Sequence, residues 1–155
     1  MAITSKMARV IVKLGGGLIT DKSEYKQVRL DRVDAVSAVI KELRNCGHSV
    51  IIVHGAGSFG HLEARKWRLS EGFDSEISEE QELAVTRVRS DMDELNEYVI
   101  ESLRSYGVES EVLPPRYWAT GIGVDFQGDL ESFSRNPTEP VPITFGDVVA
   151  THDHT

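Results

Sequence analysis

Apolar positions along this chain switch between a short run-like pattern and a helical period, and each switch marks a predicted element. Residues 9–14, Arg-Val-Ile-Val-Lys-Leu, read as a strand whose β-branched residues suit a buried parallel sheet. That strand runs straight into Gly15, Gly16 and Gly17. Across residues 31–46, Val33, Val36, Val39, Ile40 and Leu43 recur at helical spacing, with Asp31 as N-cap and Gly47 as the stop. Residues 49–53 are a second apolar strand, and it also ends in a glycine-rich turn, His-Gly-Ala-Gly-Ser-Phe-Gly-His at residues 54–61. Strand, helix and strand in this order predict a right-handed parallel βαβ unit with both glycine turns on one edge of the sheet.

Beyond the second turn, Ser78 and Gln81 have the spacing of a capping box. The helix they open carries Ala84, Val88, Met92, Leu95, Val99 and Leu103, a stripe that reads as core, and it stops at Gly107. A third strand is predicted at residues 108–113, closed by Pro114 and Pro115. The loop-rich stretch 116–140 has room for short strands or a hairpin, and residues 141–149 read as a strand interrupted by Gly146 and Asp147. The sequence stops just after this strand without a closing helix, which reads as an interruption. No internal repeat or low-complexity tract is visible. The elements predict an α/β protein with an αβα sandwich on a mainly parallel sheet.

Charge narrows the partners. With 17 Lys and Arg against 25 Asp and Glu, the net charge is −8, which argues against nucleic acid or an anionic membrane as the main partner. An anionic ligand then needs a local positive site. The 155 residues suffice for one domain with a core. The single cysteine, Cys46, cannot form an internal disulfide and reads as a half-buried residue at a helix end, in keeping with a reducing compartment. No apolar run reaches bilayer length or makes a signal-peptide core, so the expected location is the cytoplasm. No function attaches to the leader before Met7.

Two clusters carry candidate chemistry. Lys13 with Gly15, Gly16 and Gly17, followed by Thr20 and Lys22, joins amides free to converge on an anion with two point charges for phosphate oxygens. The spacing is neither that of a P-loop nor GxGxxG, and taken alone it equally describes a tight turn with two solvated lysines. The second cluster, from His54 to His61, is more specific: three glycines and a serine between two histidines form a candidate amide nest for phosphate. His54 closes an apolar strand and reads as a hydrogen-bonded structural histidine. His61 reads as functional, an imidazole within reach of an acceptor oxygen.

The runs Lys-Leu-Gly-Gly-Gly-Leu-Ile-Thr-Asp-Lys, His-Gly-Ala-Gly-Ser-Phe-Gly-His and Pro-Ile-Thr-Phe-Gly-Asp-Val-Val resemble, in order and spacing, the N-terminal half of isopentenyl phosphate kinase, within the amino acid kinase superfamily. The resemblance spans residues 9–149, is strongest at these three motifs and is loose across residues 65–136. It implies that Lys13 and the amides of Gly15, Gly16 and Gly17 hold the phosphates of ATP, with Gly57 facing the nucleotide. It further implies that Lys22 stabilises the transferred phosphoryl group, and that Gly55, Ala56 and His61 face the acceptor phosphate. Asp147 matches the third motif, on the acceptor side, either orienting the lysines or shaping the turn. Gly17 departs from the family, which commonly has serine there, so any hydroxyl contact is replaced by backbone. The resemblance also implies nucleotide-bound Mg²⁺, a homodimer, and a nucleotide-binding lobe following the last strand, so that residues 1–155 are the acceptor-substrate lobe.

Electrostatics agree with those roles. An acceptor phosphate beside a triphosphate brings like charges together, each pair costing about 4 kcal/mol at about 4 Å and an effective dielectric of about 20. Two lysines, two amide nests and a histidine offset that repulsion, and no general base is needed for an acceptor oxygen already ionised at neutral pH. Other readings keep this motif set: a kinase of another small phosphate or phosphonate such as fosfomycin, or an inactive binding module. Of the remaining signals, His152 and His154 lack the closed geometry of a zinc site. Tyr117 and Trp118 read as core or rim aromatics as readily as an apolar channel, and the acidic run 76–82 reads as a solvated helix start.

Overall fold

The structure is a computed structural model and describes residues 7–151, so the leader and the His152/His154 pair lie outside the described residues. A four-stranded parallel sheet is built from β1 (Arg9–Leu14), β4 (Ser49–His54), β5 (Ser110–Val112) and β8 (Val141–Phe145), in the order β1-β4-β8-β5. Helices α2 (Leu30–Asn45), α3 (Gly57–Lys66) and α4 (Ser78–Ser105) flank it and pack on one another. Two small antiparallel ribbons branch from this frame: β2 (Thr20–Asp21) with β3 (Gln27–Val28), and β6 (Ala119–Thr120) with β7 (Gln127–Gly128). The short helices α1 (Gly16–Ile19) and α5 (Pro115–Trp118) complete the elements that position the site. The predicted α/β class, the parallel β1-β4 pairing and the hairpin within residues 116–140 are therefore present.

The core forms where apolar periods meet. Ala84, Val88, Met92, Leu95, Val99 and Leu103 are all buried on α4, and the last five share one core cluster with Ile52, Val141 and Ile143 of the two central strands. Strand β8 is buried at every position because it has a neighbour on either edge. Strand β1 differs from the buried strand its composition predicts. It lies at the sheet edge, so Ile11 is 65% exposed while Val10, Val12 and Leu14 turn inward.

Local signals also lost to tertiary contacts. Helix α2 starts at Leu30 with Arg29 at the N-cap and no side-chain cap, so Asp31 lies in the first turn, where its charge still suits the helix dipole. At its other end Gly47 takes φ +82°, as a helix stop should. Ser78 and Gln81 form no capping box. The Gln81 amide instead donates to the Trp67 and Gly72 carbonyls at 3.0 Å each and accepts from the Asp74 N–H, tying the α3-α4 connection to α4. Strand β5 is only three residues long, and β8 ends at Phe145 instead of resuming past Gly146. Cys46 sits at a helix end as expected but is exposed, not half-buried. Tyr117 is exposed, whereas Trp118 packs edge-on against Phe126 and Phe133. Among the described residues no helix is long and apolar enough to cross a membrane.

Candidate functional site

Parallel pairing of Lys13 with Val53 and Leu14 with His54 makes the two glycine turns leave the sheet side by side. The Gly55 N–H donates to the Leu14 carbonyl at 2.9 Å, and beyond this bond the turns approach backbone to backbone. A Cβ on Gly16 would stand 2.3 Å from the Gly57 nitrogen, and one on Gly55 would stand 2.8 Å from the Gly16 nitrogen. Gly57 has φ +51°, a conformation glycine adopts without penalty. The glycines at 16, 55 and 57 are thus needed for turn to meet turn, while Gly15 faces open space and a side chain at Gly17 would meet only the flexible end of Lys22.

The segment 54–61, expected as one long turn, is mostly helix. Only Gly55 and Ala56 lie between β4 and α3, whose first residue is Gly57. Thr20 makes this possible: its fully buried hydroxyl donates to the Gly16 carbonyl at 2.7 Å and accepts from the Ser58 N–H at 3.0 Å, stitching α1 to α3. Amides of Gly15, Gly16, Gly17, Ala56 and Gly57 have no acceptor among the described residues, so two sets of donors meet at one edge of the sheet. Such paired N–H clusters at helix starts are suited to phosphate oxygens.

Two lysines border these donors. Lys13 is an exposed residue near the end of β1. Lys22, in the β2-β3 loop, folds back over the first turn: a Cβ on Gly17 would lie 2.7 Å from its Cε and 3.2 Å from its Nζ. Neither lysine has an ion pair or side-chain hydrogen bond among the described residues, which leaves both charges for a ligand. By contrast Lys26, in the same loop, is fully engaged by Asp91 at 3.1 Å and by Glu94, and its hydrogen bond to Glu94, together with that to Asp91, raises its pKa to about 12.

His61 is the fifth residue of α3 and exposed, and it does not sit at the end of a loop. It lines a shallow pocket of about 220 Å³ with Ala64, Arg65, Arg68, Ser70 and Glu71, a rim richer in positive than negative charge. Its neighbours there belong to α3 and the segment after it, not to the two lysines. His54 behaves as its sequence position suggested. It is buried, stacked on Phe145 at 5.1 Å, with Nε2 3.3 Å from the Asn96 side-chain oxygen, and burial lowers its pKa from 6.5.

Asp147 follows β8 at the same edge, where the Gly146 N–H donates to the His54 carbonyl at 3.0 Å. Its carboxylate, wholly buried, receives the Arg116 guanidinium at 3.0 Å and the Val148 N–H at 2.9 Å. Of the two roles left open, shaping the turn matches these bonds, since both carboxylate oxygens are spent on local partners. Burial disfavours the Arg116 charge, but bonds to Asp93 and the nearby Asp147 outweigh it and hold the guanidinium firmly protonated. Sequence reasoning missed Ser58, Arg116, Asp91 and Asp93, each of which meets its partner across more than 20 residues of chain.

The family model described as Amino acid kinase family matches residues 8–154. Isopentenyl phosphate kinase of Thermoplasma acidophilum is 30% identical over 146 residues, covering 94% of this chain and 55% of the relative. The corresponding protein of Methanothermobacter thermautotrophicus is 33% identical over 153 residues, with 93% and 55% covered. A solved isopentenyl phosphate kinase superposes with a TM-score of 0.82 at 26% identity, covering 94% of this chain and 59% of that one. Aspartate kinase from Synechocystis, at 14% identity and a TM-score of 0.60, shares the fold. The chain spans about half the length of the relatives it matches.

Proposed function

Because the chain belongs to the amino acid kinase family, we propose that it forms the acceptor-side part of a kinase acting on isopentenyl phosphate. In the proposed reaction an oxygen of the isopentenyl phosphate attacks the γ-phosphorus of ATP, the bond from that phosphorus to the β-γ bridging oxygen breaks, and ADP leaves with isopentenyl diphosphate as product. What carries this reading is the backbone contact between the two glycine turns, which sets two clusters of unpaired amides side by side.

Lys13 and the amides of Gly15, Gly16 and Gly17 hold the nucleotide phosphates in this scheme, with Gly57 on the same side. Gly55 and Ala56 face the acceptor phosphate and His61 hydrogen-bonds it. Lys22, folded over Gly17, reaches the group in transfer, where negative charge is spread over equatorial oxygens. Mg²⁺ brought by the nucleotide would neutralise part of its charge. No residue need remove a proton, so the protein's work is alignment and charge compensation. Asp147 serves by fixing the turn beside Ala56 through Arg116.

Two titrations of this chain, one with ATP and one with isopentenyl phosphate, followed by ³¹P NMR, test the proposal. Saturable binding of isopentenyl phosphate that weakens in His61→Ala supports it. Absence of binding to both ligands overturns it, and preferential binding of a phosphonate such as fosfomycin replaces the acceptor.

A further inference from the structure

Buried acidic and amide groups interrupt the apolar stripe of α4 at one place. Val88, Met92, Leu95 and Val99 are core residues, yet Asp91 and Asn96 beside them are also buried. A carboxylate in a helix that packs into the core is costly unless it is paired, so its partners define its purpose.

Asp91 faces the loop that carries Lys22. Its carboxylate accepts the Tyr25 hydroxyl at 2.5 Å and pairs with Lys26 at 3.1 Å, and Glu94, one turn neighbour, takes the same ammonium. Lys26 holds φ +56°, an unusual backbone state for a residue with a side chain, and its N–H donates to the Ser58 carbonyl. The loop is therefore clamped at one end to α4 and at its base to α3. Burial of its hydroxyl and the bond to Asp91 push the Tyr25 pKa up to about 12, as expected for a phenol donating to a carboxylate.

Asp93 faces the other way. Residues two apart on a helix point about 200° from each other, so Asp91 and Asp93 address opposite flanks of α4. Asp93 holds the Arg116 guanidinium through both oxygens at 2.8 and 2.9 Å, and Arg116 in turn binds Asp147. From the preceding turn, Arg89 donates to the Val148 carbonyl at 2.8 and 3.3 Å. One stretch of α4 thus touches both segments that border the glycine turns.

We propose that the stretch of α4 from Arg89 to Glu94 is a positioning element that sets the Lys22 loop and the Asp147 turn at a fixed separation across the phosphate site. Asp91 and Asp93 are positioning residues, each acting through a cation on one arm. The functional half of this inference rests on the reading of the glycine turns as a phosphate site; the mechanical half does not.

Hydrogen exchange of the chain separates the two. Asp91→Asn, or Lys26→Gln if the first variant fails to fold, accelerates amide exchange about tenfold or more within residues 20–28 and leaves residues 146–148 unchanged. Asp93→Asn does the reverse. Uniform acceleration, or none, overturns the positioning role. The functional readout is the rate of phosphoryl transfer from ATP: Lys22→Ala lowers it in the parent chain but lowers it little further in the Asp91→Asn background. Full additivity of the two substitutions refutes the link to Lys22. If the parent chain binds no ATP, the phosphate-site reading falls while the exchange result still decides the mechanical claim.

Discussion

A methyl group on Gly57 would stand 2.0 Å from the Thr20 hydroxyl oxygen, so the residue that opens α3 and the residue that closes α1 exclude any side chain between them. Glycine is required here for packing as much as for its left-handed backbone. Gly57→Ala should cost about 3 kcal/mol, combining strain at positive φ with overpacking. Gly15→Ala should stay within about 1 kcal/mol of the parent, because a Cβ there meets nothing within 4 Å. Urea unfolding midpoints of the two variants check the contrast.

The Thr20 hydroxyl makes one bond as donor and one as acceptor inside a site with no exposure. Thr20→Val keeps the shape but strands the Ser58 N–H, while the Gly16 carbonyl keeps the Thr20 backbone N–H, a loss of about 1–3 kcal/mol. Thr20→Ser keeps the hydroxyl and should lose about 1 kcal/mol for the missing methyl. Equal destabilisation by both would mean that the hydroxyl contributes nothing.

His54 makes stability depend on pH. Its burial depresses the folded-state pKa below 6.5, so the unfolded chain takes up a proton first as pH falls. Its contribution is complete above pH 6.5 and shrinks as pH drops toward the folded value, before most carboxylates, near pH 4, begin to titrate. Thermal unfolding followed between neutral pH and about pH 5 should show a falling midpoint that is flatter in His54→Gln.

On the proposed function, Lys22→Ala should lower kcat for phosphoryl transfer about a hundredfold while changing ATP affinity only about threefold, since its charge would matter most as the phosphoryl group moves. His61→Ala should instead raise the acceptor KM about tenfold or more, the loss of one hydrogen bond to a charged group. Steady-state kinetics with each substrate varied distinguishes the two patterns, and an unchanged kcat for the lysine variant removes Lys22 from the transfer step.

The sheet and helices were legible wherever a period was long and uninterrupted: β4, α2 apart from Val39, which is exposed, and the six-residue stripe of α4 all lie where their apolar spacing put them. Strand order was not legible, because whether β1 lies inside or at the edge depends on where β8 inserts more than a hundred residues later. The start of α3 was hidden by glycines, whose usual reading as a turn is overridden by the bond from Ser58 to Thr20. Gln81 shows the same competition, since three loop groups outbid the local cap. For the candidate site, the residue types pointed to phosphate chemistry, but the reason for each glycine did not follow from the motif. Asp147 could be noticed without its role being evident, because its partner Arg116 lies on the short helix α5, 31 residues away.

Strand β8 lies between β4 and β5, although it is synthesised after both. Until residues 141–145 are available, β5 has no strand to pair with and the sheet stops at β4. Pairing β4 with β8 brings together segments some 90 residues apart, a slow kind of contact for a chain of this length. The Gly146 bond to His54 forms in the same step. A nascent chain therefore completes the edge that carries the glycine turns only once residue 146 has been made, although both turns themselves are synthesised early.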